Sequence, residues 1–399
     1  MAEKTGVCFP EGFKATGINC GIKKEKKDLA VIISDEPCNV AACSTTNRVK
    51  SYSLLWSLKN IKNPVRAILI NSGNANVLGG KNGWEITCEI MEKFADVVGV
   101  STRNVLFAST GVIGKPLPQN EILRGIEKLV PMASETGGQD AAEAIMTTDR
   151  FPKQIEIETS IKGKKKGSFV RIGAMAKGAG MICPNMATML GFITTDAVIS
   201  KIALKKALTD AVNDSFNMIT VDGDQSTNDF VVCLANGVSG NRTIHQDTDD
   251  YKIFSESLSE VCTFLAKKIA ENGEGSDRLI EVRVEGAWSK KDARRVAKNI
   301  AGSNLVKAAV TGAWPNWGRI AAAAGSSCTR FDPQKMKIYI GKYTVFDCVS
   351  CDIDEKLLRQ ELSKNKVVIR VILGSGKEDA VAWGCNLTEE YVRINMEKE

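Results

Sequence analysis

The stretch KGAGMICPNMATMLGFITTDA, residues 177–197, joins a loop of unusual composition to an apolar segment. The last ten residues predict a buried strand because apolar and β-branched residues dominate them. Before that strand, Gly178 and Gly180 allow unusual backbone angles, whereas Pro184 restricts them. Two interpretations stay open: a loop that leads into a core strand, or a bent segment that supports chemistry at Thr188, where the loop meets the strand.

Strand and helix patterns alternate along the rest of the chain, without a low-complexity tract or an obvious repeat. AILINSG (67–73) and NVLFAST (104–110) predict buried strands, and KQIEIETSI (153–161) predicts an alternating one. Residues 85–98 and 250–272 have the spacing of amphipathic helices. Further strands are predicted at LIEVRVEGA (279–287), KMKIYIGKYTVF (335–346) and KVVIRVILG (366–374). These patterns predict an α/β protein, and 399 residues favour two domains or two closely packed halves.

Charge and hydropathy exclude several classes of partner. Lys and Arg number 53 against 47 for Asp and Glu, and they are spread along the chain, which does not indicate nucleic-acid binding. The lysine cluster KGKKKG (162–167) is expected to be the tip of a hairpin. No run approaches the roughly 18 apolar residues of a membrane helix, and the N-terminus has no apolar core. We therefore expect a cytoplasmic protein without a membrane or nucleic-acid partner.

Cysteine and histidine usage limits the possible chemistry. The twelve cysteines lie mostly in apolar surroundings, as Cys233 and Cys262 do, which favours reduced buried thiols. Cys348 and Cys351 form a CxxC without a second ligand pair, so no metal site is expected. The single histidine, His245, lies in a polar run that predicts a surface loop. A Ser-His-Asp triad is therefore excluded, and no glycine-rich stretch completes a nucleotide-binding pattern, so no cofactor is expected.

Without histidine, an activated nucleophile needs another base. The remaining options are a Ser or Thr assisted by Lys, a Cys of low pKa, or an N-terminal Thr whose own α-amine is the base. The α-amine has a pKa of about 7.7 to 8.0, so a substantial fraction of it is free base near neutral pH. Thr188 is internal, and the chain would have to be cut before it. From residue types alone, a loop that leads into a strand is the simpler interpretation.

The motif MxxPNMATMLGFITTDA, preceded by AKGAG, resembles the self-cleavage region of the ornithine acetyltransferase family, the bifunctional glutamate N-acetyltransferases and amino-acid acetyltransferases. Other stretches resemble the family in the same order along nearly the whole chain. They are GIKKEKKDLAVIISD (21–35), TTNRVKS (45–51), NSGNAN (71–76), STGVIG (109–114), AIMTTD (144–149), SFNMITVDGDQSTND (215–229), PNWGRIAAAAG (315–325) and AWGCNLTEEYVRIN (382–395).

The resemblance implies a layered, mixed-sheet α/β fold of the self-cleaving, N-terminal-nucleophile-like type. It implies a cut between Ala187 and Thr188, which gives an α chain of residues 1–187 and a β chain of residues 188–399 that assemble as a heterotetramer of two α and two β chains. Thr188 is then the nucleophile that carries an acetyl ester. In arginine biosynthesis this chemistry moves acetyl from N2-acetyl-L-ornithine to L-glutamate, and some members also use acetyl-CoA as donor.

The resemblance also assigns roles to residues outside the cleavage motif. Thr110 and Gly111 match the oxyanion hole, which stabilises the negative charge that develops on the substrate carbonyl. The matched substrate contacts are Thr147 or Thr148, Lys177, Thr188, Glu274 and Asn395. A carboxylate such as Glu274 suits the ornithine ammonium, and Lys177 suits an α-carboxylate.

Several positions depart from the family pattern. The family usually continues to a Ser or Thr that contacts substrate, whereas this chain ends with MEKE (396–399). Trp314 and Arg150 replace the usual Asp and Thr, so an altered pocket rim is expected. Cys183 stands near the proposed nucleophile, but Thr188 explains the motif better. Two alternative functions are a self-cleaving amidohydrolase or aminopeptidase of related architecture, and an uncleaved binding protein.

Overall fold

The computed structural model describes residues 5–161, 168–183 and 189–396; KGKKKG, Ala187 and Thr188 lie outside them. The described residues form fifteen strands and eleven α-helices. The strands are β1 (Phe13–Ile18), β2 (Leu29–Ser44), β3 (Val65–Asn74), β4 (Val105–Val112), β5 (Lys153–Ile161), β6 (Ser168–Lys177), β7 (Leu190–Thr195), β8 (Ile219–Thr220), β9 (Phe230–Ala235), β10 (Leu279–Ala287), β11 (Lys337–Ile340), β12 (Tyr343–Asp347), β13 (Val349–Ser350), β14 (Lys366–Ile372) and β15 (Glu378–Cys385).

The predicted amphipathic helices at 85–98 and 250–272 are confirmed within one or two residues at each end. The described residues form eleven α-helices in all. They are α1 (Tyr52–Asn60), α2 (Gly83–Val98), α3 (Gln119–Leu129), α4 (Gly138–Ala144), α5 (Lys201–Asp214), α6 (Asp249–Glu271), α7 (Lys290–Gly302), α8 (Asn304–Thr311), α9 (Trp317–Gly325), α10 (Glu355–Leu362) and α11 (Glu389–Met396). Within the described part of the chain, none of these helices is long and apolar enough to cross a membrane.

The chain divides into two compact units that do not follow the sequence from one end to the other. The first contains the described residues of 1–178, 185–213 and 225–265, and the second contains those of 179–184, 214–224 and 266–399. Segments from both sides of the predicted cut therefore contribute to each unit.

The first unit is built on an eight-stranded mixed sheet. Seven strands follow the order β4-β3-β2-β9-β7-β6-β5, and β1, outside this path, pairs with β2. The β3–β4 and β7–β9 pairs are parallel and the other pairs are antiparallel. β2 is 16 residues long, and its first part pairs with β1 and β3 while its second part pairs with β9.

Both faces of β3 and β4 are buried. Leu69 and Phe107 belong to one core cluster together with Phe94 of α2. Ile68 and Leu106, one residue earlier in each strand, belong to the core cluster on the opposite face. Because successive side chains of a strand point to opposite faces, two covered faces require a continuous apolar run. This explains why β3 contains the apolar run AILI and β4 contains VLFA.

The second unit is built on a seven-stranded mixed sheet with the order β13-β12-β11-β14-β10-β15-β8. The β10–β14 and β15–β8 pairs are parallel, and the other pairs are antiparallel. Helix α7 packs against β10 and β15 through Val296, Ala297 and Ile300, which are buried. The predicted strand KMKIYIGKYTVF is a hairpin, because Gly341 takes a φ of +57° and turns β11 into β12.

The cysteines and the histidine lie as the sequence predicts. All twelve cysteines are free thiols, and six of them are buried. Burial raises the pKa of the Cys38 thiol to about 12, since it disfavours the thiolate. His245 is exposed in an irregular segment. The buried thiols and the exposed His245 therefore do not have the surroundings of an activated nucleophile or base.

Candidate active site

The predicted cut lies in the connection between two paired strands of the first unit. β6 and β7 are antiparallel neighbours, and Lys177 at the end of β6 stands opposite Leu190 at the start of β7. β7 also confirms the strand predicted from the opening stretch. Because β6 precedes the cut and β7 follows it, the ladder of backbone hydrogen bonds is independent of the peptide bond between Ala187 and Thr188.

The side chain of Lys177 contacts two of the threonines that the resemblance assigns to the site. Its Nζ donates a hydrogen bond to Thr147 Oγ1 at 2.7 Å and another to Thr110 Oγ1 at 3.2 Å. Lys177 is only 7% exposed, although it carries a charge. Three sequence-distant motifs, STG, TTD and AKGAG, thus meet at the end of β6. This cluster combines a buried cation with two hydroxyl groups next to the start of the cleavage segment.

Asp149 organises the surroundings of this cluster. Its Oδ2 accepts a hydrogen bond from the backbone N–H of Thr147 at 3.0 Å, and its Oδ1 accepts one from the N–H of Gly178 at 2.8 Å. Oδ1 also accepts from Lys153 Nζ at 2.6 Å, in an ion pair whose side chains are fully buried. Asp149 therefore connects the TTD turn with the residue that follows Lys177.

The ionisation of Asp149 follows from these contacts. Burial by itself raises the pKa of a carboxyl group. The charges of Lys153 and Lys177, together with the hydrogen bonds from Lys153 and Gly178, outweigh burial and hold the pKa of Asp149 below its ordinary value. Burial lowers the pKa of Lys153 despite the attraction of Asp149. Asp149 keeps its charge because backbone N–H groups also donate to it.

The STG turn shows why a glycine occupies position 111. Gly111 has a φ of +133°, and a Cβ there would overlap the carbonyl carbon of Gly73 in the neighbouring strand. Asn228 fixes the same strand end, since its Nδ2 donates to the carbonyl oxygens of Ser109 at 2.7 Å and Ala75 at 2.6 Å. The half-buried Thr110 and Gly111 therefore have a closely determined backbone.

In the second unit, hydrogen bonds to their backbone groups hold residues 179–182. Asp222 accepts from the N–H of Met181 at 2.6 Å and from that of Ile182 at 2.9 Å. The N–H of Glu274 donates to the carbonyl of Ala179 at 3.0 Å. Met181 has a φ of +54°, which is uncommon for a residue other than glycine. The contacts with Asp222 stabilise this turn shortly before the predicted cut.

Glu274 and Asn395, two predicted substrate contacts, lie together in the second unit. Asn395 Nδ2 donates to Glu274 Oε2 at 3.0 Å. Gly180 leaves the space for this carboxylate, because a Cβ at Gly180 would overlap it. Tyr391 donates its hydroxyl to Asp222 Oδ2 at 3.4 Å. Burial and the neighbouring carboxylates, Asp222 first among them, raise the pKa of Tyr391 to about 12, so the phenol stays a donor at neutral pH.

The departing positions Arg150 and Trp314 are both exposed. Arg150 is exposed, next to the buried Asp149. Trp314 is 47% exposed and packs against the Arg319 guanidinium, 4.6 Å from the ring centroid. Thr148 is half-buried beside Asp149. Of the two threonines in the TTD motif, Thr147 is the one that contacts Lys177.

Three residues that hold backbone groups in these clusters were assigned no role in the sequence analysis. Asp149, Asp222 and Asn228 all stand within motifs that resemble the family, yet their side chains act on backbone groups rather than on a predicted substrate. Their position within those motifs was the available signal. No cluster of three or more His, Cys, Asp or Glu suited to a metal ion occurs in residues 5–161, 168–183 and 189–396.

Comparison with known proteins agrees with these motifs. A model of the ArgJ family matches residues 14–398. The chain is 46% identical over 395 residues to the arginine biosynthesis bifunctional protein ArgJ of Symbiobacterium thermophilum, which covers 98% of this chain and 97% of the relative. It is 44% identical over 393 residues to the protein of the same name from Caldanaerobacter subterraneus, covering 97% and 96%.

A solved structure agrees with the fold. The crystal structure of the arginine biosynthesis bifunctional protein ArgJ from Bacillus halodurans matches with a TM-score of 0.51 and 44% identity, and covers 52% of this chain and 99% of that chain. The predicted mixed-sheet α/β fold of the ornithine acetyltransferase type is thus confirmed, and the protein is an acyltransferase of arginine biosynthesis. The chain belongs to the ArgJ family.

Proposed function

We propose that this chain is a glutamate N-acetyltransferase that moves acetyl from N2-acetyl-L-ornithine to L-glutamate through an ester on Thr188. The observation that carries the proposal is the contact of Lys177 with Thr147 and Thr110 at the end of β6. It places a buried cation and two hydroxyl groups at the strand end from which the cleavage segment leaves.

Self-cleavage creates the missing base. Oγ1 of Thr188 attacks the carbonyl carbon of Ala187, the peptide C–N bond breaks as an ester forms, and the nitrogen takes up the hydroxyl proton. Water then hydrolyses the ester, which leaves a carboxylate on Ala187 and a free hydroxyl on Thr188. The new α-amine has a pKa near neutrality and is suited to general-base catalysis, which is why the chain needs no catalytic histidine.

The length of the solved relative supports a cut near the middle. The Bacillus halodurans chain is matched over 99% of its length by 52% of this chain. A β chain that starts at Thr188 has 399 − 187 = 212 residues, about 53% of the sequence. The pairing of β6 with β7 and of β2 with β9 joins segments from both sides of the cut. We propose that the α and β chains stay associated for this reason, in a heterotetramer of two copies of each.

Acetyl transfer then follows a ping-pong course. The Thr188 hydroxyl attacks the acetyl carbonyl, its proton passes through the α-amine to the leaving nitrogen, and ornithine departs from the acetyl ester. The amine of glutamate attacks this ester, and N-acetylglutamate leaves with Thr188 restored. Thr110 and Gly111 supply the oxyanion hole. Because Thr110 Oγ1 accepts from Lys177, its own hydroxyl hydrogen stays available to the oxyanion.

The charged side chains account for substrate choice. Lys177 is the cation for an α-carboxylate, which both acetylornithine and glutamate carry. Glu274, oriented by Asn395, is the counter-charge for the side-chain ammonium of ornithine. Both substrates are small molecules, and the proposed reaction requires no cofactor. The relatives are named bifunctional. That name supports acetyl-CoA as a second acetyl donor for glutamate in this chain.

The test is an acetyl-transfer assay with N2-acetylornithine that is labelled in the acetyl group. We expect labelled N-acetylglutamate when glutamate is present, and a labelled acetyl group on the peptide that begins with Thr188 after acid quench. Thr188→Ala abolishes both signals. Labelled acetate that appears at the same rate with or without glutamate identifies a hydrolase and contradicts the proposal. Acetyl-CoA in place of acetylornithine tests the second donor.

A further inference from the structure

A cation from the first part of the chain holds the peptide group that leads into Thr147. Lys23 Nζ donates to the carbonyl oxygen of Met146 at 2.5 Å and to that of Lys27 at 3.1 Å. Lys23 lies in the stretch GIKKEKKDLAVIISD (21–35), which resembles the family but has no role in the proposed reaction. The first of these hydrogen bonds joins this stretch to the TTD motif of the first unit.

The Met146–Thr147 peptide group is held at both of its polar ends. Lys23 donates to its carbonyl oxygen, and the carboxylate of Asp149 accepts from its N–H at 3.0 Å. Both hydrogen bonds are charge-assisted, because a cation meets the acceptor and an anion meets the donor. The orientation of this peptide plane determines where the Thr147 side chain lies, and that side chain accepts from Lys177 at 2.7 Å.

The main chain of Lys23 is held by a buried carboxylate. The N–H of Lys23 donates to Asp28 Oδ2 at 2.8 Å, and the N–H of Cys20 donates to Oδ1 at 2.7 Å. Asp28 is fully buried, and its carbonyl oxygen accepts from the N–H of Ser72 in β3 at 2.8 Å. The side chain of Lys23 therefore extends from a turn that is anchored to β3.

The side chain of Lys23 also lies close to the strand beside the predicted oxyanion hole. A Cβ at Gly73 would be 3.2 Å from Lys23 Cγ. Gly73 pairs with Gly111 where β3 and β4 run side by side, and a Cβ at Gly111 would overlap the Gly73 backbone. One side chain thus adjoins both the strand next to Gly111 and the peptide group of Thr147.

We infer that Lys23 is a positioning residue for acetyl transfer, a role that rests on the proposed function and on Thr147 as a substrate contact. Lys23 acts through the Met146–Thr147 peptide group, which sets the direction of the Thr147 hydroxyl toward Lys177. Ping-pong transfer places acetylornithine and glutamate in one site in turn. A displaced Thr147 is therefore expected to weaken the binding of both substrates.

Steady-state kinetics of Lys23→Met test this role, because methionine removes the ammonium but keeps a long side chain. We expect the KM values for acetylornithine and glutamate each to rise about tenfold with kcat little changed, as for a contact that contributes to binding. Lys23→Arg keeps a charged donor and is expected to recover part of the loss. A lower kcat at unchanged KM would indicate a smaller fraction of folded enzyme and would overturn the positioning role.

Lys24→Met is the matched control, because Lys24 is an exposed lysine that follows Lys23 in the same turn. It removes one positive charge at almost the same place in the chain and is expected to keep the KM values of the wild type. Equal increases of KM in Lys23→Met and Lys24→Met would show an effect of net charge and would contradict the role of the Met146 contact.

Amide hydrogen exchange measures the position of the peptide group independently of activity. The segment 145–149 is expected to exchange faster in Lys23→Met than in the wild type or Lys24→Met, because the Thr147 N–H is no longer held toward Asp149. Unchanged exchange in Lys23→Met overturns the positioning role. A wild type that transfers no acetyl, with faster exchange in Lys23→Met, contradicts the proposed function alone. A wild type that transfers acetyl, with Lys23→Met equal to it in KM, contradicts the role of Lys23 alone.

Discussion

Two aspartates hold the segment that precedes the predicted cut, and their surroundings differ. Asp149 accepts from the N–H of Gly178 in the first unit, and it is buried in an ion pair with Lys153. Asp222 accepts from the N–H groups of Met181 and Ile182 in the second unit, is half-buried, and pairs with no cation among the residues described.

The comparison shows that an aspartate carboxylate has two different roles in this segment. A buried carboxylate with a cation beside it determines stability, because loss of either partner leaves an uncompensated charge in the core. Its neighbours also include Lys177, so it affects the electrostatics of the site. A half-buried carboxylate that accepts only from backbone and hydroxyl groups determines local conformation. We therefore expect variants of Asp149 to affect folding and variants of Asp222 to affect self-cleavage.

The largest effect is expected for Asp149→Ala. It leaves the Lys153 charge buried without its partner, which costs about 3 to 5 kcal/mol of stability. Chemical denaturation of the variant and the wild type measures this loss. The double variant Asp149→Asn with Lys153→Met removes both charges and is expected to recover part of it. An Asp149→Ala variant as stable as the wild type would contradict the structural role of the ion pair.

Next comes Lys177→Met, which removes the cation but keeps a long side chain. Acetyl transfer is expected to fall about 100-fold, because Thr110 and Thr147 lose their donor and the substrate carboxylate loses its counter-charge. Steady-state rates with acetylornithine and glutamate measure the effect. Lys14→Met serves as control, since the Lys14 side chain forms an exposed ion pair with Asp35. Similar rates for the two variants would show that Lys177 does not take part in acetyl transfer.

A smaller effect is expected for Asp222→Asn, which places an amide N–H against backbone N–H groups that now donate to a carboxylate. We expect self-cleavage of freshly refolded precursor to slow about tenfold, with transfer by the processed protein little changed. Gel densitometry over time gives the cleavage rate. The control is Asp224→Asn, an exposed carboxylate of the same turn. Unchanged cleavage in Asp222→Asn would show that this turn does not limit the reaction.

The smallest effect is the pH dependence of the Asp149 contribution. The contacts of Asp149 hold its pKa in the folded protein below the roughly 3.9 of an unfolded aspartate. The resulting stability is present above about pH 4 and is lost as the pH falls through the folded-state pKa. The difference in unfolding free energy between wild type and Asp149→Asn should therefore shrink from pH 5 to pH 3. A difference that grows towards acid would reverse this assignment.

Much of the fold follows from the sequence because local patterns determine it. β3 and β4 are continuous apolar runs, since both of their faces are covered, and α2 and α6 show helical spacing throughout. The two interleaved units could not be predicted in this way. Pairing such as that of β2 with β9 joins residues nearly 200 positions apart, and no periodicity in either strand identifies its partner.

The candidate site could also be predicted only in part. Resemblance indicated Lys177, Thr147 and Thr110 as separate motifs, but only the folded chain brings their side chains within hydrogen-bond distance. The carboxylates of Asp149 and Asp222 accept from backbone N–H groups. Every residue except proline has such a group, so no sequence pattern identifies these contacts. Thr188 lies outside the described residues, and its role stays a prediction.

The most direct test of the central claim is the intact mass of the purified chain beside that of Thr188→Ala. We expect the wild type to separate under denaturing conditions into two chains divided between Ala187 and Thr188, and the variant to remain whole at 43.2 kDa. A wild type that stays in one piece, or a variant that is cut at the same bond, contradicts Thr188 as the nucleophile.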